Sequence, residues 1–161
     1  MNNWSRSLRK DFLKFLRRSG ADRARLIKAF LWLGVMRWAL WRWPFQRLAL
    51  RLGLRQVEPA DLSRTDQAAE ASQIGWALRA MASRTPWKNS CLVQSLAGMM
   101  MLRRRDIPAA LYLGVAKDET VADDLAAHAW LCSGSLVLTG EDGRDRYRVI
   151  SIFSNRPRSL H

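Results

Sequence analysis

The chain has 161 residues, 27 Lys plus Arg against 14 Asp plus Glu, a net charge of +13 and a pI near 11.3. That length can bury a core unaided, and 48% hydrophobic residues exclude a disordered chain. Two cysteines exclude a disulfide framework, and two histidines with no CxxC or HxxxH pair argue against a zinc site; no metal and no cofactor are expected.

The first elements are helical and basic. Trp4, Leu8, Phe12, Phe15 and Leu16 recur at helical spacing over residues 4–18. Gly20 suits a C-terminal cap and Asp22 an N-cap, which predicts a helix from Arg23 to Trp41 that Pro44 stops. Phe45 to Leu52 reads as a short helix ending near Gly53, and residues 54–64 as a polar linker around Pro59. Thr65 or Asp66 is set to cap a helix over 66–83 that buries Ala69, Ile74, Trp76, Ala77 and Met81.

The pattern changes at residue 84. Thr85 to Ser90 is turn-like and offers Asn89 or Ser90 as an N-cap for a helix over Cys91–Arg104. That helix is apolar almost all round, the mark of a buried helix. Ala109–Val115, Leu125–Leu131, Ser135–Thr139 and Arg146–Phe153 read as strands, with Ser133-Gly134 as a two-residue hairpin turn. Helices followed by an antiparallel sheet make an α+β fold.

The charge is uneven. Residues 1–57 carry 14 basic residues against Asp11 and Asp22, and five of the eight tryptophans. Residues 58–161 are close to neutral. The chain therefore divides into a basic, Trp-rich helical subdomain, 1–57, and a second unit, 58–161. The longest apolar run, Ala29–Met36, is far short of the roughly 20 residues a spanning helix needs. Neither a signal peptide nor a membrane span is expected, so a cytoplasmic protein with reduced thiols is.

Two side chains stand out chemically. Cys91 opens the buried helix, where the positive end of the helix favours a thiolate. His128 lies in Ala-His-Ala-Trp on a strand and can hold that thiolate and later protonate a leaving amine. The plain alternative is an inert core thiol and a structural histidine. Cys132 shares a strand face with His128 about 13 Å further along, too far to bridge to Cys91 if His128 touches it, and is expected to be passive. With a Ser133-Gly134 turn, Thr139 falls opposite His128 and Glu141 and Asp142 lie close by. Any of the three can orient the imidazole, unless Glu141-Asp142-Gly143 is only a solvated turn.

Several motifs in order resemble one family. Pro86-Trp87, Cys91-Leu92-Val93-Gln94-Ser95-Leu96-Ala97, Leu102-Arg103-Arg104-Arg105-Asp106-Ile107-Pro108-Ala109, Leu113-Gly114-Val115 and Ala127-His128-Ala129-Trp130-Leu131 resemble the transglutaminase-like cysteine protease of lasso peptide biosynthesis, the leader peptidase or B protein. The likeness runs from about residue 66 to 153, with a looser one in the first third.

The resemblance implies a papain-like cysteine protease core over 58–161 and a hydrolase with a Cys–His–Asp triad. It would cleave the leader from a ribosomally made precursor peptide, and a macrolactam cyclase would then close the core peptide. Cys91 would be the nucleophile and His128 the general base and acid. The family's Asp falls about a dozen residues after the His, where this chain has Gly140. Asp142 is the nearest Asp and takes the role on that ground, with Glu141, Thr139 or a backbone carbonyl as alternatives. Trp87 would wall the substrate and oxyanion site, or pack in the core. The chain is too short to hold a leader-recognition module as well, so the resemblance implies a separate leader-recognition protein.

Residues 1–57 then suit docking to the leader, to that protein or to the cyclase. Residues 23–52 also suit peripheral contact with an anionic membrane. A non-enzymatic membrane-surface or nucleic-acid-binding protein is the alternative for the whole chain. Nucleic acid ranks last, because the tryptophan and leucine spacing reads as packing and no nucleic-acid motif is present.

Overall fold

The computed structural model describes residues 19–57, 67–117 and 125–155. The expected helix over 4–18, the caps at Thr65 and Asp66 and most of the linker lie outside these residues. Among the described residues four α-helices, α1 (Gly20–Arg42), α2 (Phe45–Arg51), α3 (Ala68–Ala82) and α4 (Cys91–Arg103), precede most of the sheet. Its strands are β1 (Arg55–Gln56), β2 (Ala110–Lys117), β3 (Leu125–Ser133), β4 (Leu136–Thr139) and β5 (Arg148–Ser154). All pairings are antiparallel, in the order β1-β5-β2-β3-β4. The fold is α+β, as expected.

Local chemistry explains the boundaries. Ser19 caps α1, its hydroxyl accepting from the Asp22 N–H at 3.2 Å, and Gly20 is the first residue of this helix. Asp22 instead pairs with Arg25 at 3.2 Å. Pro44 separates α1 from α2. Part of the expected linker is a strand: Arg55 and Gln56 pair with Ser154 and Phe153 at the sheet edge. In α3 the buried stripe is Ala71, Ile74, Ala77 and Leu78, one step round from the expected face, and Ala69 is exposed.

One apolar core runs through the described residues. Leu26, Ala29, Leu33 and Met36 of α1 share it with Ile74 and Leu78 of α3, with α4, and with Leu111, Ala129, Leu131 and Leu138 of the sheet. The division at residue 57 thus marks a change in charge, while the apolar packing crosses it. Helix α4 is the centre of this core, with nine buried residues. Gly98 lets it approach the sheet: a Cβ there would lie 2.5 Å from Leu131 Cδ2 and 2.8 Å from Leu78 Cδ1.

The hairpin between β3 and β4 differs from expectation by one residue. Ser133 pairs with Leu136, so the loop is Gly134-Ser135, and Gly134 takes the left-handed conformation a tight turn requires. A bulge between Leu131 and Cys132 then sets Thr139 opposite Leu131. Thr139 is therefore not opposite His128, which pairs with Gly114 on the other side.

Candidate active site

Helix α4 presents Cys91 as its first residue. Ser90 caps it, accepting from the Val93 N–H at 3.3 Å, and the Ser90 carbonyl accepts from Gln94 at 3.1 Å. The amides of Cys91 and Leu92 precede the first helical bond and point out of the helix end. The loop before it is tied down by Asn89. Its side chain accepts from the Trp87 indole at 3.0 Å and donates to the Ala82 carbonyl at 3.2 Å and to the Thr85 hydroxyl. Cys91 itself is half-buried.

His128 is also half-buried. Its Nε2 lies 2.8 Å from the Gly140 carbonyl oxygen. A carbonyl only accepts, so Nε2 carries the proton, and Nδ1 is the basic nitrogen of the neutral ring. Two aromatic rings flank the imidazole, Tyr147 at 4.9 Å and Trp130 at 5.8 Å between centroids. Tyr112 stacks on the far side of Trp130 at 5.5 Å and 5°. Gly114 makes the room, since a Cβ there would come within 2.9 Å of both Trp130 and Tyr147.

How close do Cys91 and His128 come? Helix α4 leads at its C-terminal end into Pro108, whose carbonyl accepts from Ser133 at the far end of β3. The N-terminal end of α4 therefore lies toward the start of β3. Cys91 is seven residues before Gly98, and His128 three before Leu131, the side chain Gly98 faces. Both steps are about 10 Å long, which puts Cys91 and His128 at one level of the two layers.

Strand alternation sends His128 to the face of the sheet away from Ala129 and Leu131. Strand β4, however, stops at Thr139 opposite Leu131, so at His128 β3 is itself the edge of the sheet. The path between the two groups runs round that edge. Ser95, one turn after Cys91 on the same helix face, sits 3.0 Å from the Thr139 hydroxyl, both buried. Gly140 follows Thr139 and holds His128. Ser95, Thr139, Gly140 and His128 are thus linked in sequence, by the hydroxyl pair at one end and the carbonyl–imidazole contact at the other. No hydrogen bond joins the thiol and the imidazole directly in this structure.

The other expected site residues fall as follows. Asp142 and Glu141 are exposed and make no hydrogen bond or ion pair with His128. The atom on Nε2 is the Gly140 carbonyl, the backbone alternative among those considered. Thr139 is committed to Ser95. Trp87 packs on Phe30 at 5.5 Å and lines an open groove between α1 and the start of α4. Cys132 is half-buried, and burial pushes its thiol up to about 11. Burial, with the neighbouring Cys132, also raises the Tyr112 phenol.

Three residues received no role in the sequence reading, Gly114, Tyr147 and Ser95, while Gly140 was noted only as standing in place of an Asp. Only Ser95 left a clear signal, as a hydroxyl on a helix apolar almost all round, which a buried position obliges to find a partner. Among the described residues no cluster of His, Cys, Asp and Glu can hold a metal ion, and no helix is long and apolar enough to cross a membrane.

A half-buried thiol at a capped helix start and a histidine whose outer nitrogen is fixed are two of the parts that thiol hydrolases and transferases use. Comparison with known families agrees: residues 27–152 match the Transglutaminase-like superfamily, and the chain belongs to it. The match begins inside α1, so it takes in part of the basic segment. Neither curated proteins nor solved structures gave a match.

Proposed function

We propose that the chain is a cysteine peptidase that removes the leader from a ribosomally made lasso precursor peptide and hands the core peptide to a macrolactam cyclase. The motif order around Cys91 and His128 supports the substrate class. The observation that carries the chemistry is the His128 Nε2 contact with Gly140, because it leaves Nδ1 as the basic nitrogen of the ring.

The reaction then runs in two steps. Nδ1 of His128 takes the Cys91 proton, and the thiolate attacks the carbonyl carbon at the leader–core junction. The oxyanion accepts from the Cys91 and Leu92 amides at the start of α4. The protonated imidazole gives its proton to the departing core amine as the C–N bond breaks. A thioester to the leader remains on Cys91. Water, deprotonated by His128, attacks the thioester and releases the leader acid and the thiol.

Asp142 can act only through a movement of residues 141–143 toward His128; in the conformation described, the Gly140 carbonyl orients the ring. A separate leader-recognition protein presents the precursor, and Trp87 borders the substrate path.

Rapid mixing of the protein, the leader-recognition protein and precursor, followed by acid quench, tests this. Intact mass should show the leader attached to the peptide that contains Cys91. Release of leader with no adduct at any quench time, and none when hydrolysis is slowed at low pH, counts against a covalent thiol mechanism.

A further inference from the structure

The basic segment leaves an unusual surface on α1. Its inner face is buried, yet Ile27, Leu31, Val35 and Trp38 stand exposed in a stripe at helical spacing, with Trp41 81% exposed. A monomer seldom presents so continuous an apolar strip without using it. Beside the stripe runs a groove of about 570 Å³ between α1 and the loop that leads into α4. Gly34 floors it, Trp38, Trp41 and Trp87 wall it, and it reaches Ser90, the residue before Cys91.

Its charge is one-sided. Residues 23–57 and 71–105, which supply both walls, contain no Asp or Glu at all. Arg37 lines the groove and bridges the walls, donating to the Lys88 carbonyl at 2.7 Å. A concave, aromatic, cationic groove that opens at the nucleophile's helix end suits an extended peptide. A flat lipid surface would meet the convex stripe and leave the groove unused.

We infer that this groove is the cleft that seats the substrate peptide, and that it selects an acidic segment anchored by a large apolar side chain beside Gly34. The inference rests on the peptidase reading for the identity of the peptide, but the binding it describes does not need Cys91 chemistry. The apolar anchor fills the space a side chain at position 34 would occupy, where a Cβ meets only Trp87 at 3.8 Å. Acidic neighbours face Arg37.

Binding to the Cys91→Ala protein separates the two claims. The probes are fluorescein-labelled 12-residue synthetic peptides carrying Trp and Leu among Glu, with Lys-for-Glu and Ser-for-Trp/Leu counterparts, followed by anisotropy. The Glu/Trp peptide should bind best. Trp41→Ala and Gly34→Leu should each weaken it about tenfold or more, as expected for an aromatic anchor site. Arg37→Glu should weaken it and flatten its salt dependence. Trp41 is so exposed that its loss leaves the fold intact, which circular dichroism checks.

Equal binding of the three peptides, or unchanged affinity in both Trp41→Ala and Gly34→Leu, overturns the inference. So does partition onto phosphatidylserine-containing vesicles that Trp41→Ala abolishes while no peptide binds, which would make the surface a membrane face. Peptide binding of the expected kind with no thioester on Cys91 would leave the groove standing and defeat the peptidase reading instead.

Discussion

The imidazole of His128 is held by the carbonyl of Gly140 at 2.8 Å, twelve residues on. Gly140 has φ of +73°, and a Cβ there would lie 2.3 Å from the Ala129 carbonyl oxygen. No side chain fits, so the backbone supplies the acceptor. Gly140→Ala should cost stability, about 1–3 kcal/mol from the backbone conformation alone, and lower kcat sharply. Asp142→Ala should keep most of the activity, read as the rate of precursor cleavage. A collapse in Asp142→Ala with Gly140→Ala active would return the orienting role to the carboxylate.

Tyr147 and Trp130 fix the plane of that ring from two sides. Aromatic pairs of this kind contribute about 0.5–1.5 kcal/mol each. Tyr147→Leu should therefore lower kcat up to about tenfold with KM little changed, while Tyr147→Phe keeps the wild-type rate. Steady-state kinetics on the precursor distinguish this from loss of fold, in which both variants would suffer in active enzyme concentration.

Ser95 and Thr139 join α4 to the end of β4 through one buried hydroxyl pair at 3.0 Å. Removing one hydroxyl strands the other, at a cost of about 1–3 kcal/mol. Ser95→Ala should lower the midpoint of chemical denaturation, and adding Thr139→Val should recover part of the loss. Strictly additive losses in the double variant would mean the pair does not couple.

The two thiols should behave differently. Burial holds the Cys132 thiol near 11, so it stays protonated at pH 8. Iodoacetamide at that pH should modify Cys91 well before Cys132, read by peptide mass mapping. The sign of the stability effect follows from the same shift. The folded state prefers the neutral thiol, so this contribution is complete below the ordinary value of 9.0 and is lost as pH rises toward about 11. Cys132→Val should lose less stability than wild type between those pH values.

Much of this was legible in the residues. The apolar helix, expected over 91–104 and found over Cys91–Arg103, its cap at Asn89 or Ser90, and the strand pattern came from periodicity and capping chemistry, and they place Cys91 at a helix start. The register of β3 on β4 was not legible, because the turn lies one residue further on, at Gly134-Ser135, and a bulge between Leu131 and Cys132 adds a further shift. Together the two shifts moved Thr139 from opposite His128 to opposite Leu131. Backbone acceptors leave no mark in a sequence, so the role of the Gly140 carbonyl could only be named as an alternative. The apolar surface of α1 was visible as composition, but which tryptophans pack and which stand out, Trp32 against Trp41, depends on where α4 lies beneath them.

The central claim is that Cys91 is the nucleophile of a peptidase. Its most direct test is precursor cleavage by Cys91→Ala beside wild type, with the leader-recognition protein present and products weighed by mass spectrometry. Wild type should yield free leader and core, and Cys91→Ala neither, with a rate at least about a thousandfold lower, as when a covalent nucleophile is removed. Cleavage by Cys91→Ala at the same junction and near the wild-type rate would contradict it.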